Sequence, residues 1–187
     1  METSHSPERG TDIDLRPWRR DDLGLMARLL GDQAMTTYLG GPETPEQLQS
    51  RLDRYLAMPP DDGRVFVITA GESAEPVGSV VFWTHAIHPE PALEIGWSVL
   101  PELQGRGIAT RATARCLEIA AAETGYRTIH AFPSVDNVAS NAVCRKLGFV
   151  LLATADVEYP ADHWMICNDW SFDLGGLRPA RGSSEET

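Results

Sequence analysis

Gln104-Gly105-Arg106-Gly107-Ile108-Ala109 follows an apolar, strand-like run from Leu93 to Leu100 and opens a helical stretch that ends near Thr124-Gly125. Two glycines let a backbone turn tightly and approach another molecule closely. The first turn of a helix leaves N–H groups without intrahelical partners, and its dipole favours negative charge there. A strand, a Gly-rich turn and a helix N-terminus in succession read as a phosphate cradle. Glycines also mark ordinary turns, so the reading depends on the rest of the chain.

The loop departs from both common nucleotide patterns. A P-loop requires Lys-Ser/Thr after its last glycine. Here Gly107 is followed by Ile108-Ala109. The Rossmann spacing would put Thr110 at its third small position, and it belongs after the first strand of a βαβ unit. The spacing that fits is Q/R-x-x-G-x-G/A, carried by Gln104, Gly107 and Ala109.

Composition narrows the class. A chain of 187 residues with 42% hydrophobic and 23% charged residues is long enough for one domain with a full core. A net charge of -11 argues against a general nucleic-acid binder, which needs a basic face. Cys116, Cys144 and Cys167 lie far apart, with no C-x-x-C pair, so neither a disulfide framework nor a zinc site is expected. His85, His88 and His163 have no metal-ligand spacing, and no metal is expected. No apolar run approaches a membrane span, and the polar N-terminus lacks a signal-peptide core. The expected address is the cytoplasm, without direct contact to nucleic acid or membrane, as a monomer or homodimer.

Residues 1–11 are polar and aperiodic and are expected to be disordered, as is the tail 175–187; one domain is expected over 12–174. Asp12 to Trp18 reads as a first strand. Asp21 is placed to cap a helix carrying Leu23, Met26, Leu29 and Leu30. Thr44-Pro-Glu-Gln47 is a capping box with proline at the first helical position, opening a helix that stops before Pro59-Pro60. Val65 to Ala70 and Val77 to Trp83 read as a hairpin around Gly71 to Glu75. Leu93 to Val99 is a third strand. In the helix after the loop, Ala112, Cys116, Ile119 and Ala120 form the apolar stripe, Arg111, Arg115 and Glu118 the opposite face, and Gly125 the C′ position. Arg127 to Phe132 is a strand. Asn137 is placed to cap a helix through Leu147 that ends at Gly148. Phe149 to Ala153 and Trp164 to Phe172 are the last strands. The order β-α-α-β-β-β-α-β-α-β-β defines a mixed α/β sheet with helices on its faces.

Some thirty residues after the loop comes Asn137-Val-Ala-Ser140-Asn-Ala-Val-Cys144-Arg-Lys-Leu-Gly148-Phe149. It resembles the second signature of the GNAT family of N-acetyltransferases, N-x-x-A/S followed by a short apolar helix and K-x-G-F. Glu94-Ile-Gly-Trp97-Ser-Val-Leu-Pro101 is similar to the strand that precedes the loop in that family. The resemblance spans Asp12 to Asp173 and is closest to the branch that acetylates ribosomal-protein N-termini. It implies a mixed, mostly antiparallel central sheet splayed at its middle, with helices on both faces. It also implies acetyl-CoA as co-substrate and an amine as acceptor, either a protein N-terminus or a small molecule.

On that resemblance, backbone N–H groups of Gln104, Gly105, Arg106, Gly107, Ile108, Ala109 and Thr110 hold the pyrophosphate, and Arg106 either pairs with a phosphate or is an exposed surface arginine. Trp97 to Val99 exposes main-chain groups to the pantetheine arm, and the Val99 N–H polarises the thioester carbonyl. Asn137 bonds the pantetheine amide or caps its helix, or does both; Ser140 is a further cofactor contact or part of the cap.

For the base, Glu94 is the candidate, with a pKa raised by partial burial; binding the ammonium or pairing with an arginine are its other readings. Many relatives place a tyrosine where this chain has Cys144. A free thiol of pKa about 8.5 could protonate another thiolate nearly isoenergetically, or Cys144 could be a small buried hydrophobe. The acceptor rim is expected at Trp83, His85, Glu94 and Tyr159, with His88, Glu158 and His163 nearby. A non-catalytic acyl-CoA sensor on the same fold is the competing reading.

Overall fold

The computed structural model describes residues 12–85, 91–158 and 163–177, His85 by its backbone alone. The capping box at Thr44 forms as expected. The Gln47 N–H donates to Thr44 Oγ1 at 3.3 Å, and the Thr44 N–H donates to Gln47 Oε1 at 2.8 Å. It opens α2, Pro45–Ala57, whose preceding helix α1 is Leu23–Leu30. At α1 the cap differs from expectation. A 3₁₀ turn, Arg20–Asp22, precedes it, and Asp22 rather than Asp21 takes the polar role. Its carboxylate accepts the Arg19 N–H at 2.7 Å and two bonds from the Arg16 guanidinium at 2.6 and 2.8 Å. Burial would raise this carboxyl, but the Arg16 and Arg19 bonds outweigh it and hold it below the ordinary range.

Seven strands form one sheet in the order β1-β2-β3-β4-β5-β7-β6. They are β1 Ile13–Pro17, β2 Gly63–Ala70, β3 Glu75–His85, β4 Ala92–Val99, β5 Thr128–Ala131, β6 Val150–Glu158 and β7 Trp164–Asp173. Every neighbouring pair is antiparallel except β4 and β5. Those two share only Leu93↔Ile129 and Glu94↔His130. β4 then runs on to Val99 while β5 stops at Ala131, so the sheet is splayed at its middle, as the resemblance implied.

Helix α3, Ile108–Glu123, and α4, Val138–Leu147, cover one face. Val80, Phe82, Leu93, Ile95 and Ile129 meet Ala112, Cys116 and Leu117 there. α1 and α2 cover the other face at the β1–β4 half, where Val65 and Val67 meet Met26, Leu29 and Leu52. Two helix ends behave differently. Gly148 adopts φ +82 as the residue after α4, where left-handed backbone suits glycine. Gly125 has no such role. Thr124 closes α3 instead, its N–H and hydroxyl both donating to the Ala120 carbonyl, at 3.1 and 2.7 Å.

β6 runs to Glu158, five residues past the expected Ala153, because its pairing with β7 continues to Glu158↔Trp164. It is the outer strand and is exposed almost throughout. A 3₁₀ turn, Leu174–Leu177, carries the chain past Gly175, where the tail was expected to begin, because Leu174 is fully buried. The remaining tail and residues 1–11 lie outside the described residues. Among the described residues no helix is long and apolar enough to cross a membrane.

Candidate active site

Strand alternation sends Leu93 and Ile95 into the α3-side core and Glu94 to the opposite face. Its carboxyl is largely withdrawn from water, and burial pushes it up to about 7. Trp83 on β3 is its antiparallel register partner and lies on the same face. The indole extends along β4 over Gly96: a Cβ added there would stand 3.7 Å from the ring. Trp83 therefore stands beside Glu94 on the β3 side of that face.

On the other side stand groups that sequence reasoning missed. His130 is the parallel register partner of Glu94. Its Nδ1 lies 2.7 Å from Asp169 Oδ1 on β7, both side chains being buried. Ser171 Oγ is 3.4 Å from His130 Nε2. Cys167, two residues from Asp169, shares that face; burial and then the nearby Glu94 charge raise its thiol to about 11. The available signal was the alternation of Cys167, Asp169 and Ser171 on one face of the strand. It names a face but not the neighbours on it. Of the other rim candidates, Glu158 and His163 are exposed. The His85 side chain, His88 and Tyr159 lie outside the described residues.

The loop between β4 and α3 turns at Gly105 and Gly107, both at φ +73. Side chains rarely adopt this backbone, and a Cβ on Gly105 would point into open space. Gly107 is the N-cap of α3, so Ile108, Ala109 and Thr110 present first-turn N–H groups without intrahelical partners. The residues fit an anionic diphosphate.

Arg106 is exposed, one of its two expected readings, while Arg111 departs from expectation. Arg106 folds back, Nη2 donating to the Glu102 carbonyl at 3.1 Å, rather than over the loop. Arg111, expected on the outer face of α3, reaches back to the Arg106 carbonyl at 3.2 Å and brings its guanidinium to the cradle.

Gln104 Nε2 donates to the Val99 carbonyl at 2.9 Å, while the Leu100 N–H bonds the Val77 carbonyl on the β3 side. Main-chain groups of successive strand residues point to opposite edges, and those of one residue point the same way. The Val99 N–H therefore faces the side from which β5 has departed. Trp97 is half-buried against the α3-side core. Asn137 caps α4, its Oδ1 accepting the Ser140 N–H at 3.0 Å.

Cys144 has no exposed surface and belongs to the α3-side core. Burial pushes its thiol up to about 12. The nearly isoenergetic exchange expected of a free thiol does not hold for one so desolvated, since each unit of mismatch costs about 1.4 kcal/mol.

A fork between parallel strands, a helix first turn with open N–H groups after it, and a largely buried carboxyl at the root of the fork make up the candidate site. The acetyltransferase (GNAT) domain family matches residues 12–150, most of the chain. The protein belongs to this family and is an N-acetyltransferase.

Solved structures with the same fold include a spermidine N-acetyltransferase from Vibrio cholerae in complex with CoA and spermine. It is 19% identical, with a TM-score of 0.73 over 88% of this chain and 97% of that one. A ribosomal L7/L12 α-N-protein acetyltransferase in complex with coenzyme A is 23% identical, with a TM-score of 0.71 over 86% and 93%. A ribosomal-protein-S5-alanine acetyltransferase from Vibrio fischeri is 21% identical, with a TM-score of 0.71 over 89% and 96%.

Proposed function

We propose that the protein transfers the acetyl group of acetyl-CoA to a primary amine presented on the Glu94 face, either a protein N-terminal amine or a small-molecule amine. The observation that carries this is Glu94 itself: a carboxyl raised to about 7 at the last paired position before β4 and β5 part. At neutral pH such a group exists in both forms, which suits a base for an ammonium. Acetyl-CoA, when bound, supplies the thioester carbonyl that the amine attacks.

The chain's own residues then have distinct tasks. N–H groups of the turn and first helical turn from Gly105 to Thr110 hydrogen-bond the diphosphate, with the Arg111 guanidinium beside them; the Gln104 N–H, expected to join them, is committed to the Pro101 carbonyl at 3.2 Å. The Val99 N–H and the open edge near Trp97 hydrogen-bond amide and carbonyl groups across the fork. Asn137 offers its Nδ2, since Oδ1 is committed to the cap, and Ser140 completes that turn. Glu94 takes the ammonium proton, directly or through water. Trp83, His85 and Tyr159 form the rim that selects the acceptor. Cys144 packs the core, and solvent or the amine's proton serves the departing thiolate. The reaction takes place in the cytoplasm, without metal.

Two of the named neighbours are ribosomal-protein acetyltransferases and one is a spermidine acetyltransferase, which suggests the first substrates to try. Release of free thiol from acetyl-CoA is the direct test, with peptides beginning Ala, Ser or Met beside polyamines and aminoglycosides. Thiol release that depends on one amine class supports the reading and names the class. Acetyl-CoA binding without amine-dependent release across the whole panel would favour an acyl-CoA sensor instead.

A further inference from the structure

One buried side chain outside the acceptor face makes more hydrogen bonds than packing requires. Asn141 lies in the second turn of α4 and is 1% exposed. Its Nδ2 donates to the Ser134 carbonyl at 2.9 Å and to the Asn137 carbonyl at 2.8 Å. Its Oδ1 accepts from Asn168 Nδ2 at 2.7 Å and from Trp170 Nε1 at 2.8 Å. A side-chain amide has two donor hydrogens and two acceptor lone pairs, and here all four are engaged. No other side chain of that length offers the same set: aspartate lacks the donors, and leucine lacks everything polar.

The four partners lie on three segments. Ser134 belongs to the loop between β5 and α4, Asn137 caps α4, and Asn168 and Trp170 are on β7. The loop is stitched to β7 by its main chain as well. The Asn168 N–H bonds the Pro133 carbonyl at 2.9 Å, and the Val135 N–H bonds the Ile166 carbonyl at 3.0 Å. These bonds fix where the loop lies along β7. They do not fix the angle at which α4 leaves it, because none of them reaches the helix. Asn141 does, by holding the carbonyl of the cap residue and the carbonyl of the loop to one point on the strand.

We propose that Asn141 is a positioning residue for acetyl-CoA: it touches no ligand, but sets the first turn of α4, with Asn137 and Ser140, against the fork between β4 and β5. This rests on the reading of Asn137 and Ser140 as the pantetheine side of the site. A binding turn displaced by an ångström loses affinity even when the protein stays folded, because its hydrogen bonds depend on direction as well as distance.

The test uses the full chain and three variants, Asn141→Ala, Asn168→Ala and Trp170→Phe, with acetyl-CoA as the probe. Titration calorimetry is run well below each variant's measured melting temperature. Asn141→Ala is expected to weaken acetyl-CoA binding by about tenfold, below the roughly hundredfold loss of rate that a 1 Å misplacement of reacting groups can produce. The apparent KM for the amine, at saturating acetyl-CoA, stays at the wild-type value. Asn168→Ala and Trp170→Phe each remove one of the bonds on Oδ1 and weaken binding in the same direction by a smaller factor. If folded Asn141→Ala binds acetyl-CoA with wild-type Kd, however far its melting point has dropped, Asn141 is only a core amide and the proposal falls. Should that variant fail to fold, the other two decide, and wild-type Kd in both overturns it. Failure of the wild-type protein itself to bind acetyl-CoA would overturn the assignment of the cofactor site instead.

Discussion

Glu94 and His130 are register partners at the last pairing of β4 with β5, one residue pair from where the sheet splits. A carboxyl and an imidazole thus share one face of the sheet at the root of the fork. Glu94 stands beside Trp83 on the β3 side, and His130 is held by Asp169 on the β7 side. The chemistry proposed for the site depends on this placement, and so do the first two expectations.

Glu94→Gln keeps the shape and removes the basicity. The kcat/KM for the amine should fall roughly a hundredfold near pH 7, while acetyl-CoA affinity stays near wild type. With the base at about 7, wild-type kcat/KM should rise with pH through that value. The deficit of the variant should shrink at high pH, where more amine is already neutral. Stability moves the other way. The folded protein holds a proton on Glu94 that the unfolded chain releases at about 4.3, so the wild type loses stability as pH rises from there towards 7. Glu94→Gln should therefore melt higher than wild type at pH 8, with little difference at pH 4. A pH-independent rate deficit would retire Glu94 as the base.

His130→Ala removes the 2.7 Å partner of a buried carboxylate. The expected cost is about 1–3 kcal/mol, the scale of leaving a buried polar group without one of its hydrogen bonds. Asp169→Ala in the same background should restore part of that loss, because the buried acceptor that lost a hydrogen bond is then gone. Denaturant melts of both single variants and the double variant measure the coupling. Additive losses would mean that the pair contributes nothing as a pair.

Gly107→Glu places a side chain where the backbone is left-handed and an added Cβ would stand 3.1 Å from Arg111 Nη1. It also brings negative charge to the anion cradle. Acetyl-CoA should raise the melting temperature of the wild type and not that of the variant. Full acetyl-CoA affinity in the variant, measured by calorimetry, would remove this loop from the diphosphate site.

Cys144→Ala should leave kcat near wild type at every pH between 6 and 9, with a stability loss of about 1 kcal/mol for the small cavity. Cys144→Ser should lose more stability, because it buries a hydroxyl in an apolar core. Steady-state rates beside thermal melts check both. A large fall in kcat for a stably folded Cys144→Ala protein would restore the acid role that its burial argues against.

Local rules carried the sequence a long way. Thr44 with Gln47, Asn137 with Ser140 and Gly148 after α4 act within a few residues of one another, and each motif formed as written. Asp22 displaced Asp21 because its choice depended on Arg16, six residues earlier and on a strand. Thr124 displaced Gly125 because a threonine hydroxyl could reach back to Ala120. β6 ran long because strand length is set by the partner: β7 offered pairing through Trp164.

The sequence by itself determined the order of elements, the Gly105–Gly107 turn beside a helix start and the candidacy of Glu94, because those features lie in short-range spacing and residue type. Only the tertiary structure decided what surrounds them. Strand order places residues 94, 130 and 171 in line, with Asp169 two residues along β7 in contact with His130, and burial separates Glu94 from Cys144. One stands at the fork at about 7, the other in the core at about 12. A pKa is set by solvent access and neighbouring groups, and those come from strands and helices that meet only when the whole sheet has formed.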